Sequence, residues 1–437
     1  MWLDDVWRME HPQGSILDEI ILQLEADNIV YANVIAPYFV SSIACHILSL
    51  YLNDCAVQID GEFGGFVNPN LFMHGGERRD MRLHILFVAP PGFGKSMYLR
   101  KFLWELGYVN NTYIPCTTAT TYTEAALVGT VNETKKDFEI VYGDLYKYSK
   151  GIIGCEEADS LIGKGLELDY NANLLNILLT ALDKGIVSKN LRNGKIAYKT
   201  NATLWFGTQP GRCELGAGLA RRFLLVKFSP TITQIHNITQ ACLRSTEQVK
   251  DVSNIKTRVE TVRHMINDFY KSLCIREIVF SERYKLLRSK LNIPHTELDN
   301  IDKLAVGYNL MTSFDVSESE VVVDVSPQLE QLIRFAIISK YKAIMANVES
   351  DVLNLLIPKQ PYDEWQIIFL CVKYLGLTAS QANKIISGLK SSNLLRYYKD
   401  PTNISAVKYY VEDNNIIDKW ILQYLDNNTK PQGDDTW

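Results

Sequence analysis

What the chain lacks narrows it first. Its eight cysteines, at positions 45, 55, 116, 155, 213, 242, 274 and 371, are scattered, with no C-x-x-C pair and no Cys/His cluster at finger spacing. No structural zinc is expected, and the scatter fits buried free thiols of an intracellular protein, with disulfides left open for a heat-adapted source. The start, MWLDDVWRMEHPQG, is acidic and lacks the basic-then-apolar order of a secretion signal. No run of about 18 apolar residues stands out, so a soluble, cytoplasmic protein with no membrane partner is expected. Excess charge is missing too: at a formal net charge of -5, any nucleic-acid surface must be a local basic stripe. Internal repeats and low-complexity tracts are absent, and only the terminal TKPQGDDTW reads as disordered.

What is present is a large foldable chain. At 437 residues it exceeds the roughly 250 at which one core stops growing, so two or three domains are expected. Hydrophobic residues at 47% and charged residues at 22% lie in the globular range. Residues 1–80 read as an N-terminal helical segment, with ILDEIILQLEADN and, after a break at Pro37, a second apolar helix. From 81 to 230 strands and helices alternate, which favours a mainly parallel sheet covered on both faces. Residues 231–357 look largely helical, with starts at Thr233, Ser253, Ser281 and Ser326. Pro358 and Pro361 mark a linker into a compact segment, 358–412, and a tail, 413–437, follows.

The chemistry concentrates in HILFVAPPGFGKSMYL, residues 84–99. A buried strand, a tight glycine turn and a helix follow one another there, the context that separates a working phosphate loop from a chance match. The loop Ala89-Pro90-Pro91-Gly92-Phe93-Gly94-Lys95-Ser96, with Met97 in the first helical turn, would aim backbone N–H groups at a β-phosphate in front of a helix N-terminus. Lys95 would contact the β- and γ-phosphates, and the Ser96 hydroxyl would bind Mg²⁺. ATP and Mg²⁺ are the cofactors this implies.

KGIIGCEEADSL supplies a second half: a short apolar strand with Glu156 and Glu157 at its end. Glu156 would hold the metal's water shell, and Glu157 would orient or deprotonate the attacking water. TLWFGTQP then ends a strand in Thr208-Gln209, where a polar group can position that water. In LARRFLLVKF, Arg221 and Arg222 precede a strand and would reach the γ-phosphate of a neighbouring subunit, which needs a ring. IVSKNLRNGKIAYK reads as a hairpin turning at Asn193-Gly194, with Lys189, Arg192 and Lys195 around its tip. Such cations can hold a backbone phosphate without reading sequence.

In this order, the P-loop, acidic pair, polar strand end and Arg-Arg-Phe resemble an AAA+ ATPase, and within that group the minichromosome maintenance (MCM) replicative helicases and their virus- and plasmid-encoded relatives. The resemblance lies in RRDMRLHILFVAPPGFGKSMYLRKF, GDLYKYSKGIIGCEEAD, the hairpin-to-strand segment and GLARRFLLVKF, over about residues 77–230. It implies an α/β P-loop sandwich with a helical lid, Gln209 as the sensor with Thr208 as alternate, and Arg222 as the finger in trans with Arg221 as alternate. The family's zinc-bearing N-terminal domain is missing. Pro327 stands where the resemblance implies a second-sensor arginine, and Lys303 is the alternative nucleotide contact.

Residues 358–412 resemble a winged helix: two helices, then a two-stranded wing, with Lys384, Lys390, Arg396, Lys399 and Lys408 as a basic excess. Tyr397, Tyr398, Tyr409 and Tyr410 pack the wing. Three functions follow. The first is a ring-forming, DNA-dependent ATPase, a hexameric homo-oligomer that translocates on or unwinds DNA. The second is a DNA-bound initiator or helicase loader that uses ATP as an assembly switch, and the third a MoxR-like protein remodeller. Strand displacement on a fork separates the first two, and stimulation by DNA argues against the third.

Overall fold

Five runs of apolar, mostly β-prone residues build the sheet that organises the molecule. The computed structural model describes residues 9–52, 57–59, 62–64, 80–104, 106–133, 138–162, 169–191, 194–212, 217–247, 252–291, 293–313, 319–345, 348–400 and 403–427. The central strands are β1 (His84–Val88), β2 (Cys116–Ala119), β3 (Ile152–Cys155), β4 (Thr203–Thr208) and β5 (Phe223–Lys227). Their order is β5-β1-β4-β3-β2, and every neighbouring pair is parallel. Val88 lies opposite both Thr208 and Lys227, so β1, β4 and β5 end level with one another.

Parallel strands buried on both faces need apolar residues at successive positions, and alternation divides these between two layers. Ile85, Phe87, Trp205, Leu224 and Val226 face one layer; Leu86, Val88, Leu204, Phe206 and Leu225 face the other. The first layer centres on Phe39, whose ring lies 5.0 Å from Trp205, 5.6 Å from Phe102 and 5.8 Å from Phe87. Phe102 belongs to the helix Lys95–Leu103, which follows the glycine turn. The second layer is the helix Asp169–Lys184, through Leu174 and Leu178.

Phe39 sits on the helix Ala32–Tyr51, which runs straight through Pro37 where the sequence suggests a break. Proline has no N–H to give the carbonyl four residues back. Here that carbonyl, of Asn33, accepts a bond of 2.8 Å from His11 Nε2, and His11 Nδ1 in turn accepts from the Tyr308 hydroxyl at 3.0 Å. The helix has a mean hydropathy of 1.6, enough by length and composition to cross a membrane, yet 94% of that window is buried inside the fold. It is the core helix of the first layer. The helix His295–Thr312 crosses it closely: a Cβ on Gly307 would stand 2.3 Å from the Ser41 carbonyl, so only glycine fits there.

The region after β5 is less purely helical than its sequence suggests. Strands Glu277–Phe280 and Glu320–Val323 pair in parallel, and the first also pairs with Val57–Ile59 of the N-terminal segment. Ser281 and Ser326 act as N-caps, accepting from Tyr284 N and Leu329 N at 3.1 Å each. Pro327 therefore occupies the first helical position, where its missing N–H costs nothing.

Two hairpins are inserted in the central fold. Ile186–Leu191 pairs with Gly194–Lys199 as the sequence indicates, but the ladder reaches Leu191 opposite Gly194, so Gly194 already belongs to the strand; residues 192–193 lie outside the described residues. A second hairpin, Gly129–Glu133 with Phe138–Tyr142, was not anticipated. The C-terminal module has helices Glu364–Leu375 and Ala379–Ser391, then the antiparallel pair Arg396–Asp400 and Asn403–Tyr410. The expected tail contains a helix, Ile416–Asn427, tied to the helix Pro327–Met345 by an ion pair of 2.8 Å between Lys342 and Asp418; residues 428–437 lie outside the described residues.

Candidate nucleotide site

The level ends of β1, β4 and β5 form a shelf, and the glycine turn rises from it. Gly92 and Gly94 have φ of 82° and 87°, a region L-residues with side chains avoid. Gly94 leads straight into the helix with no side-chain cap. The N–H groups of Lys95, Ser96 and Met97 thus precede the first intrahelical bond, from Tyr98 N to Gly94 O, and are open to an anion. Lys95 folds back to donate to the Ala89 carbonyl at 3.1 Å, only 8% exposed. Burial lowers its pKa, Asp159 and Glu157 raise it in part, and Arg212 lowers it further. The loop therefore holds a poorly solvated cation.

The acidic run beyond β3 is fixed by its backbone. Glu156 N and Glu157 N donate to the carbonyls of Ala119 and Thr120 at 2.9 and 2.8 Å, and Ala158 N donates to Gly207 O at 2.8 Å. This stitching spans β2 to β4, and Gly207 is required by it: a Cβ there would lie 2.6 Å from the Glu156 carbonyl. Glu157 is exposed.

Glu156 behaves differently from expectation. Its carboxylate, 4% exposed, takes Arg100 Nε at 2.7 Å and Nη2 at 2.9 Å. A side chain one methylene longer than Asp reaches this arginine, one turn beyond Ser96, and both oxygens are then committed. The sequence missed Asp159, which ties the acidic run to β4 and the turn after it: its Oδ1 accepts from the Thr208 hydroxyl at 2.5 Å, and its Oδ2 lies 3.2 Å from Arg212. Thr208, the alternate sensor, is thereby joined to the acidic run, whereas Gln209 is half-buried and its carbonyl accepts from Arg212 N at 3.0 Å. The Ser96 hydroxyl with nearby carboxylates is a hard-oxygen donor set of the kind Mg²⁺ takes alongside phosphate oxygens.

Other expected residues are placed elsewhere. Lys303 is a correction: it pairs with Asp299 at 2.7 Å, its carbonyl accepts from Cys45, and its charge acts on His84 at the start of β1. That is the opposite edge of the sheet from the loop. Arg222 is held within its own chain by Asp183 and the Gly218 carbonyl, while Arg221 is exposed. Lys189 pairs with Glu124 at 2.7 Å and donates to Gly129 O, so it is not a free tip cation. Lys195 is exposed, and Arg192 lies outside the described residues. In the C-terminal module Lys390 pairs with Glu364, Arg396 with Glu412 and Lys408 with Asp363, while Lys384 and Lys399 are exposed.

An open cleft of about 510 Å³ is lined by Glu25, Tyr31, Asn33, Asn237, Gln240 and Arg244 among others. Tyr31 stands 6.2 Å from Phe228, whose N–H donates to the Val88 carbonyl at 2.8 Å. Tyr31 thus connects one wall of the cleft to the end of β1, where the loop begins.

No curated protein matches the chain. Residues 85–203 match the model of the ATPase family associated with various cellular activities (AAA); this stretch holds the glycine turn, Lys95 and the acidic run, and stops just short of Thr208. With the parallel sheet and its glycine loop, this match supports an AAA-type ATPase domain of α/β P-loop fold over that stretch.

Proposed function

We propose that this domain drives a ring-forming, DNA-dependent ATPase of the MCM-like kind, which moves along or unwinds DNA. The observation that carries the reading is the course of β4. At one end the strand receives the hairpin Ile186–Lys199, and at the other it presents Thr208 to Asp159. A change of contact at the nucleotide, felt at Thr208, is nine residues from the end of an element carrying the exposed Lys195. Tyr198 OH and Lys189 bond to the carbonyls of Val128 and Gly129, so the two hairpins would move together.

The cleft beside Tyr31 takes the base and ribose, and the loop takes the phosphates. Hydrolysis forms a bond from a water oxygen to the γ-phosphorus and breaks the bond to the β,γ-bridging oxygen; Glu157 accepts the water proton. Mg²⁺, when bound on Ser96 and the phosphates, neutralises charge that develops on them. Of the arginine pair, Arg221 is the side chain available to a neighbour's nucleotide. A hexameric homo-oligomer is the assembly this needs.

The initiator or loader reading is favoured by one observation: among the described residues of the C-terminal module, Lys384 and Lys399 are exposed while Lys189 on the hairpin is paired. ATP hydrolysis measured with and without forked DNA, together with strand displacement, tests both. The motor reading expects stimulation and displacement. Stimulation without displacement leaves the initiator, and no stimulation removes DNA from the account.

A further inference from the structure

We infer that Arg212 is a γ-phosphate ligand of its own subunit, held ready by Asp159, and this rests on the domain being an ATPase.

The turn Pro210–Arg212 follows β4 directly and is fixed by Arg212 N donating to Gln209 O at 3.0 Å and by the buried Pro210 ring. The backbone is thus anchored at the shelf while the guanidinium, 59% exposed, reaches back 3.2 Å to Asp159. Both groups act on the Lys95 ammonium, with opposite signs. Ala89 N, at the start of the loop, donates to the Thr208 carbonyl at 3.2 Å, so the loop, Thr208, Asp159 and Arg212 are linked at the same end of the sheet.

The grip on Arg212 is made to be exchanged. One guanidinium nitrogen meets one carboxylate oxygen in an exposed pair, an arrangement worth little in water. A terminal phosphate offers three oxygens and more charge, and a guanidinium fork binds it through two parallel, charge-assisted bonds. Without nucleotide, Asp159 keeps Arg212 from folding over the empty loop and screens it from Lys95. With a γ-phosphate in place, Arg212 changes partner and Asp159 keeps Thr208.

Among the described residues, the other cations considered for the nucleotide are placed otherwise. Arg100 is spent on Glu156, Lys303 sits at the opposite edge, and the first position of the helix Pro327–Met345 is a proline. A contact made only to the γ-phosphate gives the site its preference for triphosphate over diphosphate.

The test is equilibrium binding of a fluorescent non-hydrolysable ATP analogue and of fluorescent ADP, with Mg²⁺, to the full chain and to Arg212→Ala and Arg212→Lys. Arg212→Ala should weaken the triphosphate about tenfold, the loss expected for one charge-assisted bond, and leave ADP unchanged; Arg212→Lys should fall between. Equal losses for both nucleotides, or no loss for the triphosphate, overturn the assignment. Melting without nucleotide shows whether a loss is one of folding, and a variant that melts early and loses both ligands also overturns it. Wild-type protein that binds neither nucleotide refutes the ATPase reading itself, so the two failures are told apart.

Discussion

Charge gathers at both edges of the central sheet, and the two edges treat it in opposite ways. At the edge where the strands begin, Arg82 is 1% exposed and fully engaged: it grips Asp80 and donates to the carbonyls of Ala181, Leu182 and Ala202. It also closes the C-terminus of the helix Asp169–Lys184, where a cation is favoured. His46 and His84 are sealed beside it as neutral rings. His46 bonds Thr203 Oγ1 at 2.9 Å and Lys150 O at 3.1 Å, and burial pushes its pKa down to about 4; burial drives His84 well below the usual range. At the edge where the strands end, Lys95 has one carbonyl, Arg212 is mostly in water and Glu157 is exposed. The first edge spends its charges on structure, and the second keeps them for a ligand.

The sharpest test of that contrast is Glu157→Gln, which should lower turnover about a thousandfold, the scale of a lost general base, while ATP still binds and the melting temperature holds. Lys95→Ala follows, with hydrolysis reduced about a hundredfold, as for loss of one aimed donor, and nucleotide binding lost with it in a titration. At the other edge, Arg82→Met should cost about 3–5 kcal/mol in denaturant unfolding, because Asp80 is left without its partner, yet the protein that remains folded should bind nucleotide normally.

A smaller effect comes with pH. The unfolded His46 takes up a proton near 6.5 and the folded one near 4, so the unfolded chain holds more protons in that window. Stability is complete above it and falls as the pH drops, by about 2 kcal/mol between pH 7 and 5 from this residue alone. Denaturant midpoints at the two values measure it. The smallest effect is assigned to Lys303→Met: nucleotide affinity should stay within about twofold, as for a site that shares no partner with the loop. A larger change would erase the division between the edges.

The phosphate loop was legible because its evidence is local: a buried strand, glycines with positive φ and a helix start lie within sixteen consecutive residues. The place of Glu156-Glu157 just beyond a short apolar strand was legible for the same reason. Asp159 and Arg212 were not, since each matters only through a partner brought to it by the sheet, and an Asp in a helix start or an Arg after a turn is unremarkable alone. Lys189 looked free because its partner, Glu124, is 65 residues away. Lys303 was misplaced because a position along the chain carries no information about which sheet edge a helix reaches. The strands Glu277–Phe280 and Glu320–Val323 are four residues each, too short to interrupt the helical periodicity around them. Pro37 misled because its repair by His11 comes from another part of the chain.

The C-terminal module leans on the catalytic half. Ile367, Cys371 and Ile386 belong to the same apolar cluster as Phe39 and Phe87. The ammonium of Lys227, at the end of β5, is sealed against Asp351 at 3.2 Å, and Gly376 lies so near the loop that a Cβ there would touch Pro91 at 3.4 Å. Heating should therefore melt both halves in one cooperative transition. Whatever the module grasps would be felt, through a proline ring, by the turn that cradles phosphate.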